Sequence, residues 1–471
     1  MHLSGQKGFA LNFTISLVLL FNFVALYLGD LGYPGYLFFS GVDAAICLWG
    51  YAVFLFRPEK SNLAVFCMTT LLAFYAVSTL STELKALSNH GRSVAELEFY
   101  RQYALNYALA VVNLSAFVFM LLGRYNYPLV IHGDKFRREC LVFLYMLCIF
   151  AMYAFVSGQI KYAGVITIDE TRSNKISAFA SITVLALPAL PAVLLREAML
   201  ATKKWEKTLC LWLSVFCMFA VFTMGRRLLM GSLLLGLFVW EAYVAPTLRI
   251  NMVKKYLYYA VLGLFASFGY KLYYAMRLVG WMHPDAELYD QLMMGLDFMT
   301  SNGSELAAQL AENAEFRAYI IGYLSEIAEA VSKGRVTDGA AFWENLLIAI
   351  PSLFINKDGL ESGEYVVTRF LAMWDTDYPS SFLSYGYADF GLLGVVLYTC
   401  FDYFSIYWFL RVIGWLNLGT ASLFFILFAL TSFQQIEGEF VYAVFLREGA
   451  ILLILFLVIK HLGVLDVRKN A

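Results

Sequence analysis

Twelve apolar runs, each close to the twenty residues an α-helix needs to cross hydrocarbon, follow one another along this 471-residue chain and narrow its choice of architecture. Inside lipid every backbone N–H and C=O must find its partner within the protein, and a helix does this within one segment. The runs fall at roughly 9–29, 35–56, 63–81, 104–122, 141–158, 176–195, 209–224, 228–244, 256–278, 389–410, 419–436 and 441–460. The expected fold is an all-α polytopic membrane protein of about twelve transmembrane helices. Composition agrees, with 61% hydrophobic and 15% charged residues, too apolar for a soluble domain of this length. A net charge of -1 without a basic cluster argues against a nucleic-acid partner.

The stretch Leu209 to Val244 is almost uninterrupted. As one helix it would be roughly 54 Å long, nearly twice the hydrocarbon thickness, so a fold back at Gly225-Arg226-Arg227 is expected. Alternating the sides then collects basic residues on one face. Arg57 and Lys60, then Arg124 with Lys135, Arg137 and Arg138, then Arg196 with Lys203, Lys204 and Lys207 share it, as do Arg249, Arg411 and both tails. By the positive-inside rule this face is cytoplasmic, and so are both termini. The run from Phe9 to Leu28 lacks a small-residue cleavage pattern and reads as an uncleaved first span. The seven cysteines sit in or beside apolar runs, which is the pattern of packing rather than of a disulfide framework or metal site.

On the opposite face lies a polar insert between spans 9 and 10, dividing the chain into 1–279, 280–388 and 389–471. A membrane needs only short connections, so a loop of this size is where chemistry is expected. Residues Glu305 to Lys333 carry apolar side chains at near-helical spacing between acids, the pattern of an amphipathic helix or helix pair. Ala340 to Phe354 is apolar, interrupted by Glu344 and Pro351, and too short to cross, which suits an interfacial or re-entrant segment.

Arg226 and Arg227 stand at the tightest turn, on the face where cations are sparse. Guanidinium forks match phosphate oxygens in two-point contacts and keep their charge, so a lipid-linked pyrophosphate is the expected anion. The same pair could instead anchor the hairpin to headgroups. Arg447, beside Glu448 in the last span, is either a third such cation or half of an intramembrane ion pair. Asp375 and Asp377 have the form of a metal-holding carboxylate pair, but a general-base or arginine-pairing role is preferred, and a solvated turn accounts for them equally well. Glu344, Glu364 and Asp389 are further acids near that segment, and Arg369 and Arg317 are the loop's arginine candidates. Trp374, Tyr378 and Tyr387 offer faces on which sugar rings stack, although interfacial aromatic belts arise in any membrane protein.

These motifs together resemble a known family. A Gly225-Arg226-Arg227 turn is followed by a long loop with Ala349-Ile350-Pro351-Ser352-Leu353-Phe354 and Asn356-Lys357, then Tyr378-Pro379-Ser380-Ser381-Phe382-Leu383 and Tyr387-Ala388-Asp389-Phe390-Gly391-Leu392-Leu393-Gly394. With Arg447-Glu448-Gly449 in the last span, the order is similar to that of the Wzy-type O-antigen and exopolysaccharide repeat unit polymerases. The resemblance implies a GT-C-like glycosyltransferase of the bacterial inner membrane, whose large loop is periplasmic. It would move a growing glycan from undecaprenyl pyrophosphate onto a new lipid-linked repeat unit. It further implies metal-independent catalysis without a cofactor, Arg226, Arg227 and Arg447 on the pyrophosphate, and a flippase and chain-length regulator as partners. No loop arginine matches the family's pattern, and Arg369 is added to the pyrophosphate set as the loop's own candidate. An O-antigen ligase shares the donor and is the enzymatic alternative. A lipid-linked oligosaccharide flippase or transporter is the alternative of a different class.

Overall fold

The computed structural model describes residues 2–29, 31–77, 79–80, 83, 102–130, 135–156, 185–224, 226–248, 252–283, 286, 288–301, 320–350, 354–357, 359–371, 380–434 and 445–469. In chain order the helices are α1 (His2–Leu28), α2 (Gly32–Phe56), α3 (Leu63–Leu72), α4 (Gln102–Leu122), α5 (Arg137–Val156), α6 (Leu190–Leu200), α7 (Lys204–Met224) and α8 (Arg226–Val239). There follow α9 (Met252–Met282), α10 (Leu288–Ser301), α11 (Ala340–Ala349), α12 (Gly363–Phe370), α13 (Phe382–Trp415), α14 (Ala421–Gln434) and α15 (Ala450–Lys469). Among the described residues no strand accompanies them, only one isolated bridge between Asn62 and Pro128.

Among the described residues five helices are long and apolar enough to cross a membrane: Gly32–Phe56, Ala104–Leu122, Arg137–Val156, Lys204–Phe222 and Phe382–Trp415. Shorter apolar helices occupy Asn12–Leu28, Leu63–Val77, Leu229–Val244, Ala340–Ala349 and Ala421–Gln434. All but Ala340–Ala349 fall on the expected runs, and α9 and α15 cover two more. Of the run at 176–195, the part up to residue 184 lies outside the described residues and the rest holds a short 3-10 turn, Leu187–Ala189, and the start of α6. The apolar stretch from Leu209 is carried by α7, ending at Met224, and α8, starting at Arg226, and both helices pack on α6; Gly225, where the fold back is expected, lies outside the described residues.

The chain forms two compact units, and their boundaries cut across the three-part division read from the sequence. Unit 1 comprises residues 1–129, 308–411 and 436–447, and unit 2 comprises 130–307, 412–435 and 448–471. The large insert is therefore not a body of its own. Its later part is built into unit 1 with the N-terminal helices, its earlier part into unit 2.

In unit 1 the central element is α4, whose apolar window is 78% buried against α1, α2 and α3. Ala104, Ala108, Ala110 and Ala116 keep its flanks thin, so neighbouring backbones approach closely. Gly50 of α2 serves the same end, since a Cβ there would sit 1.9 Å from Thr69 Oγ1 of α3. The helix at 320–332 is buried from Ile320 to Ala330 except at the half-buried Glu326 and Glu329, and it opens to the surface at Val331 and Ser332. That departs from the expected amphipathic surface helix, because apolar residues fill the positions between its acids as well as its inner stripe. The earlier part of that expected helix, 305–319, lies outside the described residues.

In unit 2 the core runs along α14, buried from Ala421 to Phe433. A helix apolar all round can only be an interior one. Phe143 of α5 meets Phe424 and Phe425 of α14 and Phe456 of α15 at ring separations of 5.3, 6.0 and 5.5 Å. Helix α10 lays Leu292, Leu296 and Met299 on Tyr273 and Met276 of α9. Gly295 lets the two helices touch, because a Cβ there would meet Met276 Cγ at 2.8 Å.

Candidate functional site

The later part of the insert forms a short helical hairpin. Helix α11 stops at Ala349 and Ile350 is extended, as expected of a residue preceding Pro351. The chain returns through a turn in which Lys357 Nζ donates to the Ile348 carbonyl at 2.6 Å. It then enters α12 with Gly363 N donating to Asn345 Oδ1 of α11 at 3.1 Å. A side chain at Gly363 would strike that amide, since a Cβ would lie 2.1 Å from Asn345 Nδ2.

Three charged side chains meet on this hairpin. Glu344 Oε2 accepts from Glu361 N at 3.4 Å, and Glu361 Oε1 accepts from Arg369 Nη1 at 2.7 Å. The Arg369 side chain is 71% exposed, so the pair is worth well under about 1 kcal/mol and the guanidinium can exchange partners with an incoming anion. Arg335, which the sequence reading passed over, places Nη2 3.0 Å from the carbonyl of Phe370. Two exposed guanidinium groups thus lie on α12, Arg335 at its C-terminal end and Arg369 reaching back to Glu361 before its first turn.

The same helix touches Ser380, just before the start of α13. Ser380 Oγ donates to Glu364 Oε2 at 3.4 Å and lies 2.6 Å from the Tyr385 hydroxyl. Ser381 caps α13 by accepting from Leu383 N and Ser384 N at 3.2 and 3.3 Å, and is 2.6 Å from the Tyr75 hydroxyl. The half-buried Glu364 thus begins a hydroxyl chain leading into unit 1.

Asp389 holds the arrangement together. It is fully buried and accepts hydrogen bonds from the hydroxyls of Thr337 and Tyr398, from Ala341 N at 3.2 Å and from Phe342 N at 3.0 Å. The last two are orphan donors of the first turn of α11, so this carboxylate fastens the hairpin to α13. Immediately after it α13 kinks. Gly391 takes φ +60°, a conformation an L side chain strains to adopt, and a Cβ at Gly394 would lie 1.8 Å from the Gly386 carbonyl oxygen. Asp389→Ala would leave four buried donors without their acceptor, at about 1–3 kcal/mol for each group that finds no other. Faster protease cutting within 337–371 of the purified variant is expected, and a cutting rate equal to the wild type would refute this anchoring role.

Of the residues expected from sequence, Glu344 and Arg369 come together on the hairpin. Asp375, Asp377, Trp374, Tyr378 and Arg317 lie outside the described residues. Arg226 and Arg227 are the first two residues of α8, their side chains outside the described set. Arg447 is half-buried in a wide helical turn, Phe445–Gly449. It belongs to unit 1, whereas Arg226 and Arg227 belong to unit 2. Tyr387 corrects an expectation: with 4% of its surface exposed, it presents no open ring face for a sugar.

Two carboxylates escaped the sequence reading altogether. Asp43 of α2 is buried and accepts from Asn22 Nδ2 of α1 at 3.0 Å and Asn113 Nδ2 of α4 at 2.7 Å. Asp402 of α13 is 1% exposed, and neither of its oxygens has a hydrogen-bond partner among the described residues. Each is a single acid inside an apolar run, a visible signal, because charge at membrane depth is costly.

Comparison with known proteins returns no matching family model, no matching curated protein and no matching solved structure.

Proposed function

We propose that this chain is a glycosyltransferase of the bacterial inner membrane, a Wzy-type polymerase that joins undecaprenyl-pyrophosphate-linked repeat units at the periplasmic face. On this reading it is a GT-C-like protein of about twelve spans with both termini cytoplasmic. A flippase supplies its substrate and a chain-length regulator works beside it. The observation that carries the reading is the surface of α11 and α12, where the exposed Arg369 pairs with Glu361, Glu344 accepts from Glu361 N, Glu364 lies in the first turn of α12 and the exposed Arg335 stands at that helix's C-terminal end. Cations for a leaving diphosphate and carboxylates for an acceptor proton are the two parts the chemistry needs.

In the transfer, an acceptor hydroxyl of the new repeat unit attacks the anomeric carbon of the donor glycan. The new glycosidic C–O bond forms as the bond to the pyrophosphate breaks, and that electron pair leaves with the diphosphate. A carboxylate of the 344–377 segment takes the hydroxyl proton. The donor is already activated, so the protein has to stabilise developing negative charge and position the acceptor. Arg226, Arg227 and Arg447 are the remaining cations assigned to the diphosphate. No metal or cofactor enters this scheme.

The test is direct. Purified protein in lipid nanodiscs, given lipid-linked repeat units, is expected to produce a ladder of longer lipid-linked glycans. Failure to elongate them would remove the polymerase. Appearance of glycan on a lipid A core instead would identify the ligase.

Asp43 and Asp402 favour a second reading. Carboxylates buried within spans are what a transporter or flippase uses to bind its coupling ion, and Asp402 has no hydrogen-bond partner among the described residues. Movement of the lipid-linked unit across proteoliposomes without its elongation would support that reading over the polymerase.

A further inference from the structure

The first two turns of α7 leave an open groove of about 670 Å³, lined by Lys204, Trp205, Thr208, Leu209 and Trp212. These positions fall on one helical face, and the opposite face does the packing. There Glu206 Oε1 accepts from Arg137 at 2.5 Å, Cys210 is buried and Ser214 Oγ donates to the Pro191 carbonyl at 2.9 Å. The groove face therefore turns away from unit 2. Trp205 and Trp212 are 61% and 69% exposed, and of the five helices able to cross a membrane this one has the least buried apolar window, 22%.

Charge sets the groove apart from an ordinary lipid-facing flank. Lys203, Lys204 and Lys207 are exposed, and no carboxylate of the described residues pairs with them. Glu206, the acid among them, is taken up by Arg137. Three uncompensated ammonium groups thus sit within little more than one turn, Lys204 on the groove itself and Lys203 and Lys207 on its flank at the start of the helix. Seven residues separate the two tryptophans, a rise of roughly 10 Å, which is the distance from headgroups to the start of the acyl chains.

We propose that this groove is a binding site for an anionic glycerophospholipid. Its phosphate lies among Lys203, Lys204 and Lys207, and an acyl chain runs over Leu209 between the rings of Trp205 and Trp212. A zwitterionic phospholipid brings its own ammonium group against the lysines and is disfavoured. Thr208 does not donate to the phosphate, because its hydroxyl already donates to the Lys204 carbonyl at 3.0 Å. The site is independent of the glycan chemistry proposed above and of which leaflet it faces.

Native mass spectrometry of the full chain released from detergent tests it. Phosphatidylglycerol and phosphatidylethanolamine of matched chains would be added in equal amounts. Juxtamembrane lysines are worth about 1 kcal/mol each toward anionic lipid, so phosphatidylglycerol should be retained at least tenfold over phosphatidylethanolamine. The combined Lys203→Gln, Lys204→Gln and Lys207→Gln variant should abolish that preference, and Trp212→Ala should weaken retention of both lipids. These are surface positions, and an unchanged thermal unfolding midpoint establishes that each variant is folded. Equal retention of the two lipids by the wild type, or a preference that survives in the triple variant, would overturn the proposal.

Discussion

Glu197→Ala is expected to destabilise the protein by about 3–5 kcal/mol, the cost of removing one partner from a buried ion cluster. Glu197 has no exposed side-chain surface. Its Oε2 accepts from Arg137 Nε at 2.9 Å and its Oε1 from Arg196 Nη1 at 2.6 Å. Arg137 reaches it from α5 and continues to Glu206 on α7, so the cluster ties three helices of unit 2 through Arg137. Replacement by alanine takes the carboxylate from Arg196, whose side chain is 6% exposed, and hydration cannot substitute for it there. Glu197→Gln keeps the shape and one acceptor, and should cost clearly less. Unfolding of the purified variants in mixed micelles measures both, and a Glu197→Ala protein within 1 kcal/mol of wild type, the worth of an exposed pair, would refute the claim.

That cluster also shows where sequence reading reaches and where it stops. Arg137 and Arg196 count toward a basic cytoplasmic face when read as a string, yet in the structure both are neutralised internally. The outward charge of that region rests on Lys203, Lys204 and Lys207. Apolar runs were legible because lipid imposes a length on them, and the positions of α2, α4, α5 and α7 follow from it. The end of α11 was legible because Pro351 restricts Ile350.

Tertiary choices were not legible. Nothing local in Tyr387-Ala388-Asp389 says that Asp389 will gather four donors from Thr337, Ala341, Phe342 and Tyr398, or that Tyr387 will be buried. Arg335 was overlooked because its role depends on the end of α12, thirty-five positions away in sequence. Asp43 and Asp402 were a different failure, since an acid within an apolar run is itself a signal.

The largest functional effect is expected at the first two residues of α8. If Arg226 and Arg227 grip the leaving diphosphate, replacing either by alanine removes charge stabilisation made chiefly in the transition state, about 3 kcal/mol or a hundredfold in rate. Cells carrying either variant should make glycans bearing a single repeat while the protein stays in the membrane at its usual level. Lysine at the same positions keeps the charge but loses the two-point fork, so partial chain extension is expected from Arg226→Lys and Arg227→Lys. That graded order separates a diphosphate contact from a headgroup anchor, because an anchor needs only a snorkelling cation and lysine would restore it fully. Arg369→Ala, at an exposed and exchangeable pair, should shorten chains without abolishing extension. Long polymer surviving in both alanine variants would move the diphosphate away from the start of α8 and leave Arg335, Arg369 and Arg447 to hold it.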